Sequence, residues 1–70
     1  MSDFEWTFGT LNYIEVKRVS GISSVASFSY DEHLRIRLHY TTETFTEREW
    51  DCILACVKQA KAFLKKLKRL

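Results

Sequence analysis

Apolar positions along this chain recur with two periods, and the change from one to the other falls near residue 45. Before it they alternate, as on strands; after it they return every three or four residues, as on a helix. The stretch from Thr46 to Leu70 carries the clearer pattern. Thr46 is a good N-cap and Glu49, three residues on, can reach back to the cap's own amide, while Phe45 and Trp50 take the N′ and N4 positions of a hydrophobic staple. These start signals predict a helix from about residue 47 to 69. At about 100° per residue, Ile53, Val57, Ala60, Leu64 and Leu67 centre its apolar stripe. Cys52, Cys56, Phe63 and Leu70 widen one side, and Trp50 with Leu54 the other. The arc then spans roughly 200°, against the ~100° that a helix lying on one sheet must bury. The surplus predicts a second partner, most simply another copy of the chain. The expected dimer contact is Cys52, Cys56, Phe63, Leu67 and Leu70, taken as the flank that the protomer's own sheet covers least.

Upstream, Phe4, Trp6 and Phe8 alternate with Glu5 and Thr7, and Leu11 to Arg18, Ile22 to Tyr30 and Leu34 to Tyr40 follow with the same period. Parity then tests the turns, because a one-residue slip sends every side chain to the wrong face. A three-residue loop at 31–33 pairs Tyr30 with Leu34, Phe28 with Ile36 and Ala26 with Leu38. A three-residue turn at 19–21 sets Ile14 opposite Ala26. One face then collects Ile14, Val16, Ala26, Phe28, Tyr30, Leu34, Ile36, Leu38 and Tyr40, and the helix is expected there. For the first hairpin two readings stand. A two-residue turn at Gly9-Thr10 pairs Phe8 with Leu11 and Trp6 with Tyr13, which puts the aromatics on the far face as an exposed patch of the kind that marks an interaction site. Alternatively Phe4, Trp6 and Phe8 curl over the sheet edge and complete the core; a bulge at Gly9 is a further possibility. The fold class expected is α+β: three or four antiparallel strands, then one long C-terminal amphipathic helix, in one domain over residues 1–70.

At 70 residues the chain is near the size at which stability is marginal, and oligomerisation is a natural remedy. No apolar run approaches a membrane span, and the start, with Asp3 and Glu5, lacks the basic and apolar regions of a signal peptide, so a cytoplasmic protein is expected. Two cysteines at i and i+4 suit neither a disulfide framework nor a four-ligand zinc site, and no cofactor motif is present. His39 shares a face with Ser27 and Ser29, but no base-and-orienter arrangement accompanies the serines, so no enzymatic activity is expected.

Charge is uneven. Residues 1–51 carry net −4 and residues 52–70 net +6, with Lys58, Lys61, Lys65, Lys66, Lys68 and Arg69 all on the helix. Acidic residues at the helix start and basic ones at its end also match the macrodipole. The basic end, with Lys17, Arg35 and Arg37, allows nucleic-acid binding as an alternative function, although no nucleic-acid-binding motif is present. Membrane-surface binding is disfavoured because the stripe it needs is the one the core uses.

In size, lack of catalytic residues and plan, the whole chain resembles the small phage-encoded proteins that block host machinery, such as anti-CRISPR and anti-quorum-sensing proteins. That resemblance implies stoichiometric inhibition of a host protein, in the host cytoplasm if the chain is phage-encoded; the basic C-terminus departs from the acidic, DNA-mimicking members. The expected function is a non-enzymatic protein-binding module, a homodimer that inhibits or modulates a protein partner. Aromatic and arginine side chains dominate interface energy. The expected partner contacts are accordingly Tyr40 and Trp50 with Arg37, and Lys65, Lys68 and Arg69 reading acidic groups.

Overall fold

The computed structural model describes residues 3–68. Four strands, β1 (Phe4–Phe8), β2 (Tyr13–Arg18), β3 (Ser24–Tyr30) and β4 (Ile36–Thr41), precede one helix, α1 (Glu47–Lys68). The strands form an antiparallel meander in the spatial order β1-β2-β3-β4, and the helix lies across one face, over β1 and β2. This is the α+β arrangement expected.

The helix starts where its local signals place it. The Thr46 hydroxyl accepts from the Glu49 amide at 3.2 Å and Glu49 accepts from the Thr46 amide at 3.0 Å, closing a reciprocal capping box. Phe45 and Trp50 meet edge to face at 5.3 Å between ring centroids, as the staple requires. Arg18, at the end of β2, ties this helix start to the sheet. Its guanidinium donates to Glu43 and, at 2.9 Å, to Glu49, and it lies over the Phe4 ring at 5.0 Å. The core sits between Ile14, Val16, Ala26 and Phe28 of the sheet and Ile53, Cys56, Val57 and Ala60 of the helix.

The first hairpin overturns the two-residue turn. Phe8 pairs with Ile14, Trp6 with Val16 and Phe4 with Arg18, so Phe4, Trp6 and Phe8 share the helix-side face with the core. The connection runs through residues 9–12, with Leu11 in the left-handed region at φ 58°. The magnitudes explain the choice. This register leaves one leucine, Leu11, almost fully exposed, whereas the tighter turn would expose three aromatic side chains at about 1.5–3 kcal/mol each for full burial. Of the two readings, the one in which Phe4, Trp6 and Phe8 complete the core therefore holds, and the far-face aromatic patch does not form.

The other two hairpins keep the expected faces over most of their length but slide by two residues. Ile14 opposes Phe28 rather than Ala26, Tyr30 opposes Ile36 rather than Leu34, and Phe28 opposes Leu38. The β3–β4 loop is longer because Asp31 organises it. Its carboxylate accepts from the amides of His33 and Arg35, both at 2.9 Å, and from the Arg35 guanidinium at 2.8 Å. Leu34, left-handed at φ 59°, is turned into the protein interior.

Two register shifts complete the sheet. One falls at Val16/Lys17 opposite Ser24 and Ala26, and Val25 beside it is buried. The other falls at Ser27/Phe28, where His39 is the extra residue and Tyr40 pairs with Ser27. A bulge of one residue reverses parity. Tyr40, expected on the helix side with Leu38, therefore lies on the opposite, open face, while Leu38 stays on the helix side and is 46% exposed because the helix does not reach over β4.

Candidate interaction surfaces

Three surfaces emerge. The first is the open face of the sheet, away from the helix, where the alternation of β2, β3 and β4 places Tyr13 and Glu15 beside Ser27 and Ser29, and these beside Arg37 and Tyr40. The Tyr13 and His39 rings lie 5.0 Å apart and those of His39 and Tyr40 5.5 Å apart. With Thr10, Glu15 and Ser27 they line a shallow hollow of about 200 Å³. A Cβ on Gly9 would come within 2.9 Å of the Glu15 Cγ, so the absence of a side chain at Gly9 is what lets Glu15 lie where it does. Glu15 Oε2 is shielded from water without a hydrogen-bond partner. Ser27 is 1% exposed, and no hydrogen bond joins it to His39 among the described residues.

The second surface is the outer edge of β1. Gly9 N–H donates to Tyr13 and Val19 N–H to Asp3, which fixes the ladder's phase so that the inward-bonding residues are Asp3, Glu5, Thr7 and Gly9. The backbone groups of Trp6 and Phe8 point outward, where no strand pairs with them among the described residues. Beside this edge runs a groove of about 290 Å³ between β1 and the helix, lined by Phe4, Glu5 and Trp6 of the strand and by Cys52, Ala55, Cys56 and Gln59 of the helix. The helix ridge there, half-buried Cys52 with exposed Ala55, Gln59 and Ala62, is neutral between Arg48 and Lys66. The Trp6 indole N–H donates to Gln59 at 3.2 Å, and Phe63 stacks against Trp6 and Phe8 at 6.1 and 5.8 Å.

The third surface is the basic end of the helix. Lys65, Lys66 and Lys68 are exposed there, and the Lys68 ammonium donates to the Glu32 carbonyl of the β3–β4 loop. Lys17 and Arg35, the other basic residues singled out in the sequence, are on β2 and just before β4, paired with Glu5 at 2.6 Å and with Asp31 at 2.8 Å.

The expected partner contacts do not form one surface. Arg37 and Tyr40 are exposed on the open face; Trp50 is half-buried on the helix side against Phe45; Lys65 and Lys68 sit at the far end of the helix. Arg69 lies outside the described residues, as does Leu70 of the expected dimer contact. The dimer flank also needs correction in one respect. It is the side that β1 covers rather than the side left bare, so Cys56 is buried, with its thiol 3.7 Å from the Phe4 carbonyl oxygen, and Cys52 is half-buried. Phe63 and Leu67 remain about half exposed. Leu67 falls within the buried arc on the helical wheel, so what exposes it is its position near the helix end.

Glu15 and Arg18 are the residues that sequence reasoning passed over. Arg18 was within reach, since a cation ending a strand before an acidic helix start is a recognisable pairing. The Tyr13–His39–Tyr40 grouping was not, because it depends on the bulge. Among the described residues no helix is long and apolar enough to cross a membrane, and no group of three or more His, Cys, Asp or Glu side chains is placed to hold a metal ion. Comparison of the chain with protein-family models, curated proteins and solved structures finds no match.

Proposed function

We propose that this chain is a non-enzymatic protein-binding module that self-associates through the outer edge of β1 and offers the open sheet face, with Tyr40 and Arg37, to a protein partner that it blocks or modulates. The observation that carries this reading is the pairing of a regular, bare strand edge with a largely apolar groove, whose one charged lining residue, Glu5, is already ion-paired with Lys17. Sheet proteins ordinarily blunt their edges with bulges and charge, and β4 has both in His39 and Arg37, whereas β1 shows an unbroken register. A second copy fits β1 in particular. Antiparallel pairing about a dyad at Thr7 sets the outward groups of Trp6 against those of Phe8 in the other copy, and pairs Thr7 with itself.

Helices that lie over β1 and β2 then fall about 10 Å apart across the dyad, from the ~4.8 Å strand spacing, which is close to the packing distance of two helices. The residues that would meet there are small and neutral: Cys52, Ala55 and Ala62 with Gln59. Two open faces join into one continuous surface in such a dimer. Cys52 and Phe63 of the expected contact border this interface, while Cys56 supports it from within.

The nucleic-acid alternative has weaker support. The basic helix end and Arg37 are on opposite sides of the sheet, and Lys17 and Arg35 are already ion-paired.

Light scattering tests the proposal. The expected mass is twice the 8.3 kDa of the chain, and Ala55→Glu, an exposed position in a good helical context, is expected to return it to 8.3 kDa without unfolding the protein. A wild-type mass of 8.3 kDa at millimolar concentration overturns the self-association.

A further inference from the structure

The geometry points to a recess on the open face, formed by Tyr13, Glu15, His39 and Tyr40, that takes an arginine side chain of the partner protein. This rests on the reading above, that the open face receives a protein, and adds the chemistry by which the partner is recognised.

Two independent features converge on a cation. The first is electrostatic. Glu15 Oε2 is held from water with no donor, and no Lys or Arg of the protomer pairs with Glu15 among the described residues. Four other carboxylates have their cation built in, since Glu5 has Lys17, Asp31 has Arg35, and Glu43 and Glu49 share Arg18, while Glu47 and Asp51 on the helix are exposed to water. Lys17, two residues along the same strand, is taken by Glu5, and Arg37 on the same face lines the neighbouring hollow with Ser29, Tyr30 and Asp31. An ionised oxygen in that position lacks compensation that a bound cation supplies.

The second feature is aromatic. Tyr13, His39 and Tyr40 form a contiguous group of rings at the same hollow, and Tyr40 belongs to it because the His39 bulge reversed its direction. Tyrosine ring faces attract cations, and more strongly where the site is desolvated. Both features select arginine over lysine. A guanidinium is planar, so it stacks on a ring while its N–H groups reach a carboxylate, and it is more weakly hydrated than an ammonium. The volume of about 200 Å³ suits a side-chain head group rather than a larger ligand, whose remainder would lie across the sheet.

The test is an NMR titration of the isotopically labelled full chain with N-acetyl-arginine methylamide, run in parallel with the lysine analogue. Tyr13, Glu15, His39 and Tyr40 are expected to shift on addition of the arginine probe, with weaker binding of the lysine probe. Glu15→Gln, which keeps shape and removes charge, is expected to weaken the arginine probe about tenfold. Tyr40→Ala, at a side chain exposed enough to leave the fold intact, is expected to weaken it as well. No saturable shift at these residues, equal or tighter binding of lysine, or undiminished binding by Glu15→Gln overturns the recess. The mass measured on the same sample separates the two proposals. A monomer that binds the probe overturns the self-association alone, and a dimer that ignores it overturns the recess alone.

Discussion

Leu11 and Leu34 share one backbone conformation and differ in everything else. Both are left-handed, at φ 58° and 59°, a region that costs a branched side chain about 1–2 kcal/mol. Leu34 offsets that cost by burying its side chain, while Leu11, 87% exposed, recovers nothing. Asparagine tolerates this region. Leu11→Asn is therefore expected to raise stability by up to about 1 kcal/mol, whereas Leu34→Asn lowers it by about 2 kcal/mol or more through lost burial. Urea unfolding of the two variants checks the contrast, and equal effects would contradict it.

Titration belongs to the same scale. Glu49 is held below the ordinary carboxylate range, first by the Thr46 amide and then by Arg18; Asp31 is lowered chiefly by the Arg35 amide, with the Arg35 side chain and the His33 amide adding to it. Arg18 is pushed up by Glu43 and Glu49, and so stays charged at every accessible pH. A carboxylate with a lowered folded pKa contributes stability above its unfolded pKa and loses it as the pH falls through the folded value. Thermal unfolding between neutral and strongly acidic pH is thus expected to show stability falling on the acid side, with a shallower fall in Glu49→Gln. A Glu49→Gln profile with the wild-type slope would contradict this assignment.

Among the elements, the helix was legible because its signals are local. Thr46, Glu49, Phe45 and Trp50 act within five residues of one another, and all three of their interactions form. Thr46→Ala is accordingly expected to destabilise the chain by about 1 kcal/mol, measurable by chemical denaturation. Faces of strands were legible where alternation ran unbroken, as at Ile14, Val16 and Phe28. Register was not. The loop after β3 lengthened because Asp31 bonds its own downstream amides, and the loop after β1 because three aromatics outweigh one leucine. Neither effect changes the hydrophobic pattern, so parity favoured the shorter loop at 31–33 and left both readings of the first hairpin open. The His39 bulge, which puts Tyr40 beside Tyr13, has no sequence marker such as glycine or proline. The open-face grouping was consequently invisible, although each of its residues was in plain view on a strand.

At the scale of the whole molecule, the helix leaves three things uncovered: the far face of the sheet, the outer edge of β1, and the half-exposed Leu38 on β4. An over-wide apolar stripe suggested a partner for the helix from its sequence. The protomer answers part of that need itself by laying β1 against the Cys52–Cys56 flank, so the proposed self-contact lies further out, at Ala55, Gln59, Ala62 and Phe63. Pairing of β1 with its own copy then connects strand edge, neutral helix ridge and small chain size in one account. Its most direct test is amide hydrogen exchange at Trp6 and Phe8, whose N–H groups point away from β2. Protection of both amides that rises with protein concentration, and disappears in Ala55→Glu, is the result the account predicts. Fast exchange at both amides at every concentration, with Glu5 and Thr7 protected, would contradict it.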